Sequence, residues 1–254
     1  MVKFEKSIRL DIINRQVVKQ SDPSLMKIEY EKHTKAYELG IKSNLFKVPE
    51  IYNYDSQKGI IIMEYFPNIQ RYDSISKPSD EIVIKIAKCL SFIHDNLALT
   101  IKINSSLINE LGTKYKSFIH GDFNGQNVCI DKIDGKIVIL DWQTAPIYGG
   151  KSTYESRLFD LMWFATYSLR IPRKKDLNFF RTIKLSKLFI KSYLKMTKEE
   201  IDKNYFYDYA NSFILKQLKY KKKINTFKIK ESLFLKYSIF LNLIFLKQLK
   251  KIYS

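Results

Sequence analysis

The 254-residue chain carries 44 Lys and Arg against 26 Asp and Glu, a net charge of +18, with 45% apolar and 14% aromatic residues. That apolar content excludes a disordered chain, and the length suits one domain or a two-lobed unit with a full core. Two cysteines, Cys89 and Cys129, lie in apolar runs and read as buried thiols rather than a disulfide framework or metal site. The N-terminal Met-Val-Lys-Phe-Glu-Lys has no apolar signal core, so a cytoplasmic location is expected.

In chain order, strands are expected over Phe4–Ile12 and Arg15–Gln20, joined at Asn14. Ser21-Asp22-Pro23-Ser24 is a turn with helix-capping residues, and a helix follows from about Leu25 to Leu39, ended by Gly40. Val48–Tyr54 and Gly59–Tyr65 read as two more strands. Residues 79–97 carry Val83, Ile86, Ala87, Leu90 and Ile93 at helical spacing, and Ile103–Leu111 is a shorter candidate helix. Thr144–Thr153 is a loop, Tyr154–Leu169 follows it, and residues 176–196, 198–220 and 229–250 are further helices. The last of these holds a mostly apolar run, Leu233–Leu246, too short to span a bilayer and suited to a buried core helix.

The most informative stretch is residues 118–143. It sets His120, Asp122 and Asn127 in the pattern H-x-D-x-x-x-x-N and places Asp141 at the end of an apolar strand. Val128–Ile130 and Lys136–Leu140 flank a turn at Asp134-Gly135, which reads as a β-hairpin. Folding about that turn brings Asn127 opposite Asp141 to within a residue of register. A carboxylate and an amide oxygen then meet at one end of the hairpin, with a third side chain, Asp122, close by. Two hard oxygen ligands beside a separate carboxylate suit metal-assisted phosphoryl transfer.

This stretch resembles the catalytic core of the aminoglycoside phosphotransferase and choline kinase families, small-molecule kinases of protein-kinase-like fold. Protein kinases have a related catalytic loop, but Gly121 stands where they carry Arg, and Asp141-Trp142-Gln143 where they carry Asp-Phe-Gly. The resemblance implies an α+β, two-lobed fold: a small β-rich N-terminal lobe over residues 1–66 and a large, mostly helical C-terminal lobe over 67–254. It implies Asp122 as the base for the acceptor hydroxyl, His120 as a brace for the loop, and Asn127 and Asp141 as Mg²⁺ ligands. Asp160, in Leu158-Phe159-Asp160-Leu161, would brace the catalytic loop.

The resemblance also calls for a strand lysine on the ATP phosphates and a helix glutamate to position it. Lys19 fits the first. Glu29, Glu31 and Glu38 compete for the second, and at about 100° per residue the apolar arc of Leu25, Met26, Ile28, Ala36 and Leu39 centres close to Glu29. Met63 would lie near the back wall of the adenine pocket, with Glu64 and Phe66 offering backbone groups to the base; the plainer reading is a strand that stops at Pro67. One departure stands out: 18 residues precede Lys19 and no glycine precedes Gly40, which leaves little room for a Gly-rich phosphate loop. A trimmed lobe, a start codon set too late, or weak nucleotide binding would each account for it.

The acceptor is read from charge. The resemblance allows a sugar, a sugar derivative or an amino alcohol as acceptor; lysines crowd the C-terminal helices, which disfavours a polycationic aminoglycoside and suits a neutral or anionic hydroxyl compound such as a sugar, a sugar phosphate or a glycolipid precursor. Two alternatives are a pseudokinase-like binding module and a nucleic-acid or membrane-surface binder that uses the basic helices. The shortage of Arg speaks against nucleic acid; a peripheral membrane contact stays open.

Overall fold

The computed structural model describes residues 7–97, 116–143, 154–169, 179–223 and 229–250. Strands β1 (Ser7–Asp11) and β2 (Gln16–Gln20) form a hairpin with Ile8 opposite Lys19. Its turn is tied by the Asp11 carboxylate, which accepts from the Asn14 backbone and side-chain nitrogens at 3.0 and 2.9 Å. Strand β4 (Ile51–Asp55) and strand β5 (Ile60–Glu64) complete a four-stranded sheet in the order β1-β2-β5-β4, with Lys19 opposite Ile61. Helix α1 (Pro23–Ser43) packs on it through Met26, against Ile61 and Met63. The Asp22 carboxylate caps its first turn by accepting from the Ser24 and Leu25 amides.

Helix α1 does not end at Gly40 as expected. It continues to Ser43, and Asn44 closes it at φ 55 while its N–H donates to the Gly40 carbonyl. Gly40 is needed for closeness instead: a Cβ there would stand 3.0 Å from the Phe46 carbonyl oxygen. Phe46 begins strand β3 (Phe46–Lys47), whose parallel pairing was not anticipated. Two residues are too few to show a period.

Strand β3 joins a second sheet, β3-β9-β8-β6, with β6 (Ile69–Arg71), β8 (Val128–Asp131) and β9 (Ile137–Ile139). Lys47 fastens that sheet by bonding Asp131 at 2.7 Å and Asp134 at 2.9 Å across the β8–β9 hairpin. Helix α2 (Asp80–Asn96), capped by Ser79, buries Val83, Ile86, Ala87, Leu90 and Ile93, as their spacing predicts. Strands β7 (Lys116–Phe118) and β10 (Tyr154–Ser156) pair with each other.

Four further helices complete the described chain. Helix α3 (Leu158–Ser168) is buried on nearly every side, and α4 (Phe179–Met196) packs against it and α2. Helix α5 (Lys203–Lys223) starts later than expected, because Asp202 accepts from the Tyr205 amide at 2.7 Å and caps it there. Helix α6 (Ile229–Leu249) buries Leu241, Phe245 and Leu249 and turns Lys236, Phe240, Leu243 and Lys247 outward. On α4, Lys184, Lys191 and Lys195 are exposed along with Phe180 and Met196, over an apolar floor of Ile183, Phe189, Ile190 and Tyr193. Among the described residues no helix is long and apolar enough to cross a membrane. The candidate helix Ile103–Leu111 and the loop Thr144–Thr153 lie outside the described residues.

Candidate active site

The β8–β9 hairpin forms in the expected register. Val128 faces Ile139, Ile130 faces Ile137, and the Leu140 amide donates to the Asn127 carbonyl at 2.8 Å. Asn127 therefore ends one residue short of direct opposition to Asp141. Its side-chain Nδ2 turns back to the catalytic loop and donates to the Asp122 carbonyl and to Asp122 Oδ2, both at 3.0 Å. With Nδ2 so committed, Oδ1 is the atom Asn127 can offer a cation.

The Asp122 carboxylate is held from three sides. Besides Asn127, its Oδ1 accepts from Asn124 Nδ2 at 2.8 Å and from Trp163 Nε1 at 2.9 Å. Asn124 is fixed in turn by the Gln126 and Asn127 amides, which donate to its Oδ1. Burial pushes the Asp122 carboxyl up to about 6; the hydrogen bonds from Trp163, Asn124 and Asn127 pull it down, while the nearby Asp141 charge pushes it further up. A carboxylate with its proton affinity near neutrality and one defined orientation suits a general base.

His120 braces this loop. Its Nε2 lies 3.0 Å from the Leu140 carbonyl and its Nδ1 takes the Asp122 N–H at 3.2 Å, a pairing that requires the proton on Nε2. Burial pushes its pKa down to about 4, so the ring is neutral. Trp142 packs beside it with ring centroids 4.6 Å apart. Beneath the loop sits Asp160, wholly buried: Oδ2 accepts from the His120 amide at 2.6 Å and Oδ1 from the Gly121 amide at 2.9 Å. His94, whose pKa burial lowers, places Nε2 3.3 Å from Oδ2 and Nδ1 2.7 Å from the Tyr193 hydroxyl.

On the sheet side, Lys19 bonds both Glu29 and Asp141, the latter at 2.5 Å. Burial works against the Lys19 ammonium, yet the two carboxylates outweigh it and raise its pKa. Glu29 is 1% exposed and Asp141 29%, so the first is sealed within the protein and the second is open to a ligand. Asp141 adopts φ 53, a left-handed conformation that Asp and Asn accept more readily than most residues. Of the three carboxylates weighed from the sequence, Glu29 is the one that meets Lys19; Glu38 instead pairs with Lys35 on the surface.

Met63 is buried where β5 ends. The Glu64 amide donates to the Glu50 carbonyl at 2.8 Å and the Tyr65 amide to the Arg15 carbonyl at 2.9 Å. Among the described residues the Phe66 amide makes no such backbone bond.

No protein-family model matches the chain, and no curated protein matches it in sequence. Solved structures do match in fold. A choline kinase, LicA, from Streptococcus pneumoniae aligns over 97% of this chain and 89% of its own, with a TM-score of 0.53 and 16% identity. A glucosamine kinase in complex with glucosamine, ADP and inorganic phosphate aligns over 96% and 79%, with a TM-score of 0.62 and 8% identity. The fold is that of the small-molecule kinases. An aminoglycoside-3'-phosphotransferase of type VIII shares it, with a TM-score of 0.52 over 77% of this chain and 83% of that one, at 13% identity. At these identities the likeness fixes the kinase-like fold, and chemistry must be argued from the residues.

Three functional side chains escaped the sequence reading. Trp163 sits in an apolar run, where nothing local marks its indole N–H as a partner of Asp122. Asn124 falls inside the catalytic-loop pattern at a variable position. Lys32 is fully buried and donates to the His120 carbonyl at 2.6 Å. It could have been found, because three residues after Glu29 it falls on the same apolar arc of α1.

Proposed function

We propose that this protein is an ATP-dependent phosphotransferase that moves the γ-phosphoryl group to a hydroxyl of a small acceptor. The observation that carries the reading is the meeting, at one end of the β8–β9 hairpin, of a braced carboxylate (Asp122) with the Lys19–Glu29–Asp141 chain. Asp122 orients the acceptor hydroxyl and takes its proton as the new P–O bond forms. Lys19, held by Glu29, presents positive charge to the phosphates. The Asp141 carboxylate and the Asn127 amide oxygen are hard donors that would hold Mg²⁺, and the ion would supply charge neutralisation on the transferring group. Met63 and the backbone of Glu64 and Phe66 border the adenine, and the lobe division falls at Phe66-Pro67.

For the acceptor we infer a small hydroxyl compound (a sugar, a sugar derivative or an amino alcohol), with neutral or anionic ones favoured over cationic ones by the basic helices, in a cytoplasmic enzyme. The structurally similar phosphotransferases are named for choline, glucosamine and an aminoglycoside, which supports a small-molecule acceptor. The exposed lysines of α4 and α6 disfavour a polycation. A phosphoryl-transfer screen with labelled ATP over sugars, sugar phosphates, amino alcohols and aminoglycosides decides it; a preference for polycationic acceptors would overturn the charge argument.

Two outcomes are expected at the site itself. Asp141→Asn removes the charge that faces the cation and should weaken Mg-ATP binding by at least about tenfold, with a matching rise in the Mg²⁺ needed for half-maximal rate. An unchanged Mg²⁺ dependence would remove Asp141 from the metal site. Asp122 must be ionised to act, and its pKa is raised, so turnover should fall as pH drops through about 6. Trp163→Phe deletes a hydrogen bond to the charged form and should move that acid limb upward by about one unit. A limb that stays in place in Trp163→Phe would dissociate it from Asp122.

A further inference from the structure

One peptide unit, His120–Gly121, lies one peptide before Asp122, and it is gripped on both edges. Its N–H, from Gly121, donates to Asp160 Oδ1 on α3 at 2.9 Å. Its carbonyl, from His120, accepts from Lys32 Nζ on α1 at 2.6 Å. Gly121 lies at φ 84, and with no Cβ a glycine lets the adjoining peptide plane turn at little steric cost. The way this plane faces is therefore set by its partners, an anion on one edge and a cation on the other.

Lys32 is an expensive partner. It has no solvent exposure, and burial depresses its pKa to about 8 against the attraction of Asp160 on α3, Glu29 on its own helix, Asp141 after β9 and Asp122 on the loop. The Phe118 ring lies 5.8 Å from its ammonium. An apolar side chain would fill such a site at lower cost. Lys32 also shares a face of α1 with Glu29, three residues earlier. One helix face thus reaches both halves of the centre: through Glu29 to Lys19 and Asp141, and through Lys32 to the peptide that aims Asp122.

We propose that Lys32 is a positioning residue that couples the seating of helix α1 to the orientation of the His120–Gly121 peptide, and so to the aim of Asp122. Its kinetic consequence rests on the phosphotransferase reading; the coupling itself does not. Without the Lys32 ammonium the His120 carbonyl loses its donor and the plane is held on its Asp160 edge alone, while Lys19 and Asp141 keep their contacts. The loss should fall on turnover rather than on nucleotide binding.

The test compares Lys32→Met, Lys32→Arg and, as an exposed control on the same helix, Lys27→Met. Mg-ATP hydrolysis with water as acceptor is followed by ADP release, and deuterium uptake over residues 118–127 is followed in nucleotide-free protein. Lys32→Met should lower kcat by about a hundredfold with the KM for ATP within about twofold, and Lys32→Arg should recover most of it. Uptake over 118–127 should rise in Lys32→Met alone, with α2 and α4 unchanged. The proposal is overturned by a KM that worsens in step with kcat, by wild-type loop protection in Lys32→Met, or by uptake that rises throughout the chain. A wild-type protein that hydrolyses no ATP would sink the phosphotransferase reading, while the uptake comparison would still decide the coupling.

Discussion

Asp122→Asn should cut phosphoryl transfer by about 10²–10⁴ while leaving ATP affinity within about threefold of wild type. Asparagine keeps the volume of the side chain and one oxygen for the Trp163 and Asn124 donors; it loses the acceptor for Asn127 Nδ2, which stays tied to the loop through the residue 122 carbonyl. What it loses is the ability to accept the proton released when the hydroxyl oxygen attacks. The nucleotide side of the centre is built from other groups, Lys19, Glu29 and Asp141, whose bonds do not pass through the Asp122 carboxylate. Turnover and binding measured on the same preparation separate these terms. Undiminished turnover would show that another group takes the proton.

Asp160→Ala should be the most damaging change to stability, by about 3–5 kcal/mol, seen as a fall in Tm of roughly 10 °C. Three buried donors converge on this carboxylate, the His120 and Gly121 amides and His94 Nε2. An alanine would leave all three without an acceptor in a site closed to water. Asp160→Asn retains one acceptor oxygen and should cost less than the alanine. Equal losses for the two, or a Tm near wild type, would show that the donors find other partners. Because two of the three donors belong to the catalytic loop, activity should fall with stability, unlike the clean separation expected at Asp122.

The sequence was most readable where spacing and chemistry coincide. The β8–β9 hairpin has a turn signal, two apolar arms and functional residues at both ends, and it folds in the register its pattern implies. Helix α1 was readable in its face, which singled out Glu29, but not in its end. Gly40 looked like a stop because glycine often follows a helix; here its missing Cβ admits the Phe46 carbonyl, and the left-handed Asn44 does the stopping. Short strands such as β3, β7 and β10 left no trace, since two or three residues carry no periodicity and their pairing is decided by partners far along the chain. Trp163 was hidden for a related reason. Its ring is core, as the apolar run suggests, and its function lies in a single N–H whose direction is set by tertiary packing.

Trp142 carries a consequence for how such a protein could be controlled. The indole directly after Asp141 is fully buried, and it packs on His120 and Phe118 with centroid separations of 4.6 and 5.7 Å. Swinging Asp141 out of the centre would drag this ring into water and leave a void its own size, at a cost of about 3–5 kcal/mol. The carboxylate is thus anchored like a post, with no low-energy parked position. Of the two carboxylates on Lys19, Asp141 is therefore tied to the core through its neighbour in sequence, and Glu29 through helix α1.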